Sequence, residues 1–581
     1  MQKIALWCAV LVFIINFFVT PKTEAALFEP NNKVGIGLAV PDENDIKDAA
    51  NLVNGNGGEW GYTTLIIQDN DRDFSKWQGV CNKLRTARLI PIFRLATHLD
   101  GGSWVRPGNR DAIEWASFLN KLNCTTKDLY IVLFNEPNHA PEWGGLVDPK
   151  DYADTALFFA KTLKNTNSNF FVMLAGLDQA APQRPPNYYD AGQFWKDVLA
   201  VQPYIFDHID GLVSHCYPNP GFSASPHKRG RNSIGCYEWE LSILSNLGIS
   251  KELPVFITET GWHSNGGNLA ENYRVAYEDL WLKDFRVRAV TPFILSYAGA
   301  PFEQFSWKRS EAIMKPNSTN TPFFDQYYTV SNIAKIKGNP PQNERVNVLS
   351  PLPATLIKNS SYSFQLWLRN QGQSIWHKPD GFSIDFVKKP ISDYAFSALY
   401  NVEPNDSTII NLNLETDSQA GAKDLSIGLF KDGQLKTVLF PWIVKVMEPP
   451  PISVNLSVFP GRPYEGKATI QIFDSRNKLV YEAVDVSFVK GNGYISGVKG
   501  VTIGQQYRVV ALVDFYLPRQ ASLIVEQKNE VTFEMLIPGD ANHDGKFSVE
   551  DIFLMPTNKK LYRSFLPLLF RPALGSLFSR I

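Results

Sequence analysis

Beyond residue 19 the chain has no apolar run long enough to cross a bilayer, which takes about 20 residues in succession. It also lacks an excess of charge of either sign: 57 Lys and Arg stand against 58 Asp and Glu, a net charge of −1. Without a basic stripe to follow phosphates, nucleic acid is excluded as a partner. There are only five cysteines, with no C-x-x-C pair and no paired Cys/His spacing, which excludes a structural zinc site. A Gly-rich phosphate turn is missing as well, since Val34-Gly35-Ile36-Gly37-Leu38-Ala39-Val40 has no third glycine and lies within a strand-like run.

What is there begins with Lys3, an apolar run from Ile4 to Val19, Pro21 and the small-residue stretch Thr23-Glu24-Ala25-Ala26. This pattern predicts a secretory leader over 1–26, cleaved near Ala25 or Ala26. The run is short for an anchor and contains Asn16. Cleavage removes Cys8 and leaves Cys81, Cys124, Cys216 and Cys236. In an oxidising compartment these form two bridges, most simply Cys81–Cys124 and Cys216–Cys236 among three possible connectivities. At 581 residues, 44% hydrophobic and 13% aromatic, the chain is long enough for three or four packed units. The surplus of Trp, Tyr and Phe suits flat, uncharged ligands.

Between about residues 30 and 338, short β-branched or aromatic runs alternate with amphipathic stretches. Eight runs stand out: Val34–Val40, Thr63–Gln68, Leu89–Leu95, Leu129–Phe134, Phe170–Ala175, Ile209–Ser214, Pro254–Thr258 and Thr291–Tyr297. The intervening segments read as helices, for example Asp111–Leu122 with Ile113, Trp115, Phe118 and Leu119 on one face. Eight β–α repeats predict a (β/α)8 barrel over 27–338. After Pro340-Pro341 the pattern changes to period two, and Asp432-Gly433 between apolar runs is a hairpin signal. The expectation is an immunoglobulin-like β-sandwich over 345–447, a second β-sandwich over 452–537, and a short EF-hand-like segment with its tail over 538–581.

Two carboxylates close apolar strands of the barrel. Leu133-Phe134-Asn135-Glu136-Pro137 follows the fourth run, and Ile257-Thr258-Glu259-Thr260-Gly261-Trp262 ends the seventh. Both positions fall on the C-terminal rim, where barrels keep their chemistry. Glycoside cleavage needs such a pair, one carboxyl to protonate the leaving oxygen and one carboxylate to attack the anomeric carbon. In a retaining enzyme they lie about 5–5.5 Å apart.

Asn135-Glu136-Pro137 and Thr258-Glu259-Thr260-Gly261-Trp262 resemble the retaining glycoside hydrolases of clan A, which include cellulases, mannanases and related β-glycanases. The resemblance covers about residues 30–320. It implies Glu136 as acid/base, Glu259 as nucleophile and Asn135 as a contact to the sugar 2-hydroxyl. From Ser214-His215-Cys216-Tyr217 it implies that Tyr217 donates to the nucleophile and His215 contacts sugar or acid, and from Phe305-Ser306-Trp307 that Trp307 is an aromatic floor. Arg94, ending the third run, could steady Glu259, although the family pattern places its arginine after the second strand. His139, Trp143 and Trp262 either line neighbouring subsites or pack the rim.

The tail segment Asp540-Ala541-Asn542-His543-Asp544-Gly545-Lys546-Phe547-Ser548-Val549-Glu550-Asp551 fits a calcium loop. Ligands fall at Asp540, Asn542, Asp544, Lys546 (through its carbonyl), Ser548 and Asp551, with a glycine at the sharp turn. The segment resembles the first half of a dockerin, whose partner is a cohesin on a cell-surface scaffold; the second half is absent. The basic, apolar end from Lys559 is a degenerate second half, an altered reading frame or a membrane-associating element.

These readings converge on a secreted or cell-surface retaining hydrolase of β-linked polysaccharide or oligosaccharide, needing no cofactor for catalysis and calcium only in the terminal loop. Its partners are the glycan substrate and a cohesin-type scaffold, and membrane enters only through the leader or the tail. The competing expectation is a non-catalytic carbohydrate-binding or wall-associated adhesive protein on the same barrel and sandwiches.

Overall fold

The computed structural model describes residues 30–315, 321–390, 392–554 and 563. The expected leader and nearly all of the basic tail lie outside the described residues. No helix among the described residues is long and apolar enough to cross a membrane. The chain divides into two compact units between Asn343 and Glu344.

The first unit contains eight parallel strands in ring order: β1 (Gly35–Leu38), β2 (Gly61–Gln68), β3 (Leu89–Ala96), β4 (Leu129–Leu133), β5 (Phe170–Leu174), β6 (Leu212–His215), β7 (Val255–Glu259) and β8 (Val287–Val290). Strands β1 to β5 form one arc and β6 to β8 another. Parallel bridges close the two seams, Met173 to Gly211 and Asp178 to His215 at one and Val34 to Val290 at the other, with further backbone bonds such as Val290 N–H to the Lys33 carbonyl at 2.9 Å. A glycine permits the close approach at each. A Cβ on Gly35 would lie 2.6 Å from Thr291 Cγ2 and 2.9 Å from the Val290 carbonyl oxygen, and one on Gly211 would lie 2.9 Å from the Phe171 ring.

Strands buried on both faces read as continuous apolar runs. Ile131 and Leu133 of β4 face the helices, whereas Val132 joins Tyr62, Ile92, Met173, Val213 and Phe256 in a separate apolar cluster. This cluster draws on inward-facing positions of strand after strand, so the barrel has a packed interior rather than a pore.

The covering helices include α1 (Glu43–Val53), α2 (Phe74–Thr86), α3 (Asn109–Leu119), α4 (Pro149–Thr166), α5 (Ala191–Val201), α6 (Cys236–Asn246), α7 (Leu269–Val275) and α8 (Asp325–Asn332). Asp42, Asp73, Asp148, Asp190 and Asn268 cap five of them by accepting a backbone N–H with their side chains. Each such cap stabilises a helix by about 1 kcal/mol.

Two boundaries differ from the sequence reading. Helix α3 begins at Asn109 and buries Ala112, Trp115, Ala116 and Leu119, so Ile113 faces solvent at 59% exposure. The eighth strand is Val287–Val290 and ends where the sequence pattern placed its start. Arg288 interrupts its apolar run, which shifts the periodic signal onto Thr291–Tyr297, where Pro292 has no N–H to give to a ladder.

In the second unit, strands from Val346 to Met447 form sheets of four, three and three around a core that includes Leu366, Trp376, Leu412 and Val444. Asp432 and Gly433 turn the hairpin between Ile427–Lys431 and Gln434–Phe440, both with positive φ (52° and 75°), as a type I′ turn requires. The region expected as a second β-sandwich contains one eight-stranded sheet and a two-stranded ribbon, Ser457–Val458 with Arg462–Pro463. Its strand Leu479–Val489 bends near Asp485 (φ 57°), where the register against Gly466–Phe473 slips between Ala468 and Ile470. The bulge bends the strand while both of its halves stay paired with Gly466–Phe473.

Candidate active site

The ends of β3, β4, β6 and β7 bring Arg94, Asn135, Glu136, His215, Tyr217 and Glu259 together. One carboxylate oxygen each of Glu136 and Glu259, with a ring nitrogen of His215, all lie within 4.8 Å of one another. Both carboxylate side chains are mostly covered yet reachable, at 17% and 16% exposure. The turn that delivers the first is contorted, with Phe134 at φ 73° and Glu136 at φ 26°, in the left-handed region that a non-glycine residue rarely adopts.

Each group is held by the next. Arg94 Nη1 donates to Glu259 Oε1 at 2.8 Å and also to Asn135 Oδ1. Tyr217 donates its hydroxyl to Glu259 Oε2 at 3.0 Å. Burial, followed by the charges of Glu259 and Glu136, holds the Tyr217 pKa well above the usual range, so it remains a donor. His215 Nδ1 lies 2.7 Å from Glu136 Oε1 and 3.9 Å from Glu259 Oε2. Burial disfavours its charged form, but the Glu259 charge and the contact with Glu136 prevail and leave its pKa raised.

Gly176, just past β5, shapes this arrangement. Its carbonyl accepts the Glu136 N–H at 3.1 Å, and a Cβ there would lie 2.3 Å from the His215 ring. The Cys216–Cys236 bridge ties the turn between His215 and Tyr217 to the start of α6. The Cys81–Cys124 bridge joins α2 to the approach to β4, away from the carboxylates.

Trp307 is a correction. It is 1% exposed and packs against Tyr273 with ring centroids 4.6 Å apart, inside the core, so its face is not available as a floor. The bulk of an indole on a segment bonded to Ile294 and Leu295 carbonyls is absorbed by packing rather than by the cleft. Trp143 and Trp262 are likewise buried, packing on Phe134 and Tyr273. His139 stays partly exposed, 2.8 Å from Asp178 and edge-on to Tyr188.

Besides Gly176, two residues escaped the sequence reading. Phe293 lies three residues past the end of β8, donates its N–H to the Thr260 carbonyl beside Glu259, and is half-buried among Phe302 and Phe305. Glu142 ends a short 3-10 turn past β4, and burial pushes its carboxyl up to about 7. The mis-set eighth strand concealed the first, and nothing in the loop sequence marks the second.

In the terminal loop, Asp540 is buried and its Oδ1 has no hydrogen-bond partner among the described residues, while Oδ2 accepts the Gly545 N–H at 3.1 Å. Asn542 and Asp544 accept the N–H groups of Asp544 and Lys546. Asp551 accepts from Ala541, Asn542 and Ser548. Although burial opposes its charge, these backbone bonds hold the Asp551 pKa below the usual range.

No family model matches this sequence, and no curated protein is similar to it. Among solved structures it is similar to the catalytic domain of a mannanase from Streptomyces sp. SirexAA-E, at 13% identity over 52% of this chain and 86% of that one, with a TM-score of 0.33. It is also similar to a Thermomonospora fusca β-mannanase in complex with mannohexaose, at 12% identity over 52% and 91%, TM-score 0.34. A broad-specificity endoglucanase from Clostridium acetobutylicum is similar at 15% identity over 52% and 97%, TM-score 0.36.

Proposed function

We propose that the chain is a secreted retaining glycoside hydrolase acting on β-linked polysaccharide or oligosaccharide by double displacement. The observation that carries this reading is the close approach of Glu136 and Glu259 at the mouth of a filled barrel, a spacing that suits direct attack and leaves little room for an intervening water. Glu259, steadied by Arg94 and Tyr217, attacks the anomeric carbon while Glu136 protonates the departing oxygen. The glycosyl-enzyme consumes the charge of Glu259, and Glu136 then takes a proton from the incoming water. Asn135 contacts the sugar 2-hydroxyl. Phe293 offers the apolar face of the sugar a ring in place of Trp307. The two disulfides support secretion, since such bridges persist in oxidising compartments.

The test is release of reducing ends from soluble β-glucan, β-mannan and related glycans, with product configuration followed by NMR. Retention at the anomeric carbon supports the reading, and sugar binding without turnover favours the adhesive alternative. Within the same assay, Gly176→Ala is expected to lower kcat by about 100-fold while the fold persists, because the added methyl drives the His215 ring off Glu136.

We further propose that the terminal loop binds calcium through Asp540, Asn542, Asp544, Ser548, Asp551 and the Lys546 carbonyl, and that it serves docking to a cohesin-type scaffold. The unpartnered buried oxygen of Asp540 and the left-handed Gly545 (φ 78°) fit a cation held by oxygen ligands. Calcium at 100 times its Kd, added to chelator-treated protein, would stabilise the loop by about 2.7 kcal/mol. Asp540→Ala is expected to abolish the calcium-induced rise in the thermal midpoint.

A further inference from the structure

The loop that follows β5 is fastened to the turn that presents Glu136 by a set of bonds the double-displacement scheme does not use. Asn138, fully buried, donates through Nδ2 to the carbonyls of Asp178 and Tyr189 at 2.9 and 3.1 Å and accepts the Asp178 N–H at 3.2 Å. The Ala140 and Val147 N–H groups donate to the Asn187 and Pro186 carbonyls, each at 2.9 Å, and His139 pairs with Tyr188 as an antiparallel bridge. The Glu136 carbonyl in turn accepts the His139 N–H at 2.9 Å.

On this frame two groups stay open. His139 Nε2 lies 2.8 Å from Asp178 Oδ2, and the other Asp178 oxygen accepts the Ala180 N–H at 2.8 Å. The imidazole meets the Tyr188 ring edge-on, with centroids 5.1 Å apart. His139 Nδ1 and the Tyr188 hydroxyl have no hydrogen-bond partner among the described residues, and Tyr188 is 42% exposed. A free ring nitrogen beside an open aromatic ring, both on a firmly bonded backbone, matches a pyranose, which has an apolar face and a rim of hydroxyls.

Their place in the ring decides which sugar they meet. Asp178 pairs through its backbone with His215 on β6, on the side that faces β5, whereas Glu259 ends β7 on the other side. Attack by Glu259 expels the leaving oxygen from the opposite face of the anomeric carbon, where Glu136 protonates it. The unit that departs is therefore the one that reaches the loops after β4 and β5.

We propose that His139 and Tyr188 form the subsite for the departing sugar, with Asp178 as the residue that positions His139. The inference rests on the glycosidase reading and names the part of that site which selects a sugar over a smaller leaving group. Tyr188 covers the apolar face of the pyranose, and His139 Nδ1 bonds one of its hydroxyls.

β-Linked trisaccharides of glucose, mannose, xylose and galactose place a sugar on this side, whereas the matching glycosyl fluorides expel only fluoride. Tyr188→Ala and His139→Ala are each expected to lower kcat/KM on the cleaved trisaccharide by about 30-fold and on its fluoride by less than about threefold. The thermal midpoint of Tyr188→Ala is expected to stay near the parent's. Fluoride hydrolysis still needs Glu136 to activate water, so a residue that merely braced Glu136 would depress both substrates alike, and equal losses overturn the proposal. Tyr188→Phe keeps the ring and is expected to recover most of the trisaccharide rate; a Phe variant as slow as the Ala one overturns the role of the ring. Binding needs no turnover: in imidazole 15N NMR of the Glu259→Gln protein, one of the four trisaccharides is expected to move the His139 resonance. No movement with any of them overturns the proposal even where glycans are cleaved. If neither trisaccharide nor fluoride is cleaved, the glycosidase reading falls, and the same resonance still decides whether a sugar is seated on His139.

Discussion

On the proposed double-displacement scheme, Glu259→Gln is expected to lower kcat on a substrate glycan by on the order of 10⁴-fold or more, because an amide cannot form the glycosyl-enzyme. Glu136→Gln is expected to behave differently. A natural glycan, whose leaving alcohol must be protonated, loses about 10²–10⁴-fold. An aryl glycoside with a good leaving group still forms the covalent intermediate, which then accumulates because no base activates water. The measurement is a pre-steady-state burst of phenol in Glu136→Gln, absent in Glu259→Gln, with the protein gaining the mass of one glycosyl residue. Equal losses on both substrate types would remove the assigned division of labour. A Glu259→Gln protein with more than about a tenth of parental kcat would remove the nucleophile altogether.

Opening the Cys216–Cys236 bridge has the second large effect, because it touches stability and chemistry together. The bridge spans 20 residues and restrains the unfolded chain by about 3 kcal/mol in the loop-closure account. In a unit of this size that corresponds to a fall in midpoint of roughly 5–10 °C. Cys216 also sits between the two side chains that grip the carboxylates, and the buried Glu240 accepts from Ser214 at 2.6 Å directly behind them. Burial pushes the Glu240 carboxyl above its usual range, against the hydrogen bonds from Ser214 and Trp195. The double serine variant is therefore expected to lose at least about tenfold in kcat at temperatures where it is fully folded. Cys81→Ser with Cys124→Ser is the control. Its loop spans 43 residues, so the stability loss is larger, about 4 kcal/mol, while kcat stays at the parental value. If the two double variants lose activity in parallel with stability, the first bridge has no special bearing on the site.

The paired glutamates were legible in the sequence for a physical reason. A strand buried on both faces is a run of apolar residues, and a charged residue directly after such a run must lie at the barrel rim. The same logic placed Arg94 at the end of the third run, whereas Asn135, His215 and Tyr217 were singled out by the resemblance to clan A glycoside hydrolases. It failed where burial and exposure use the same residue type. Trp307 and Phe293 are both large aromatics after the last strand, and only packing decides which is sealed against Tyr273 and which stays half open. Gly176 could not be found because its role is an absence of atoms, visible only once the His215 ring is beside it. The bend at Asp485 was equally hidden, since a bulge leaves the apolar alternation on either side nearly intact.

The two glycine-lined seams divide the reacting machinery. Arg94, Asn135 and Glu136 belong to the five-stranded arc, whereas His215, Tyr217, Glu259 and Phe293 belong to the three-stranded one. The proposed donor and attacker thus ride on separate arcs of the ring, and their spacing is set by the bonds that run from one arc to the other, Arg94 to Glu259 at 2.8 Å and His215 to Glu136 at 2.7 Å.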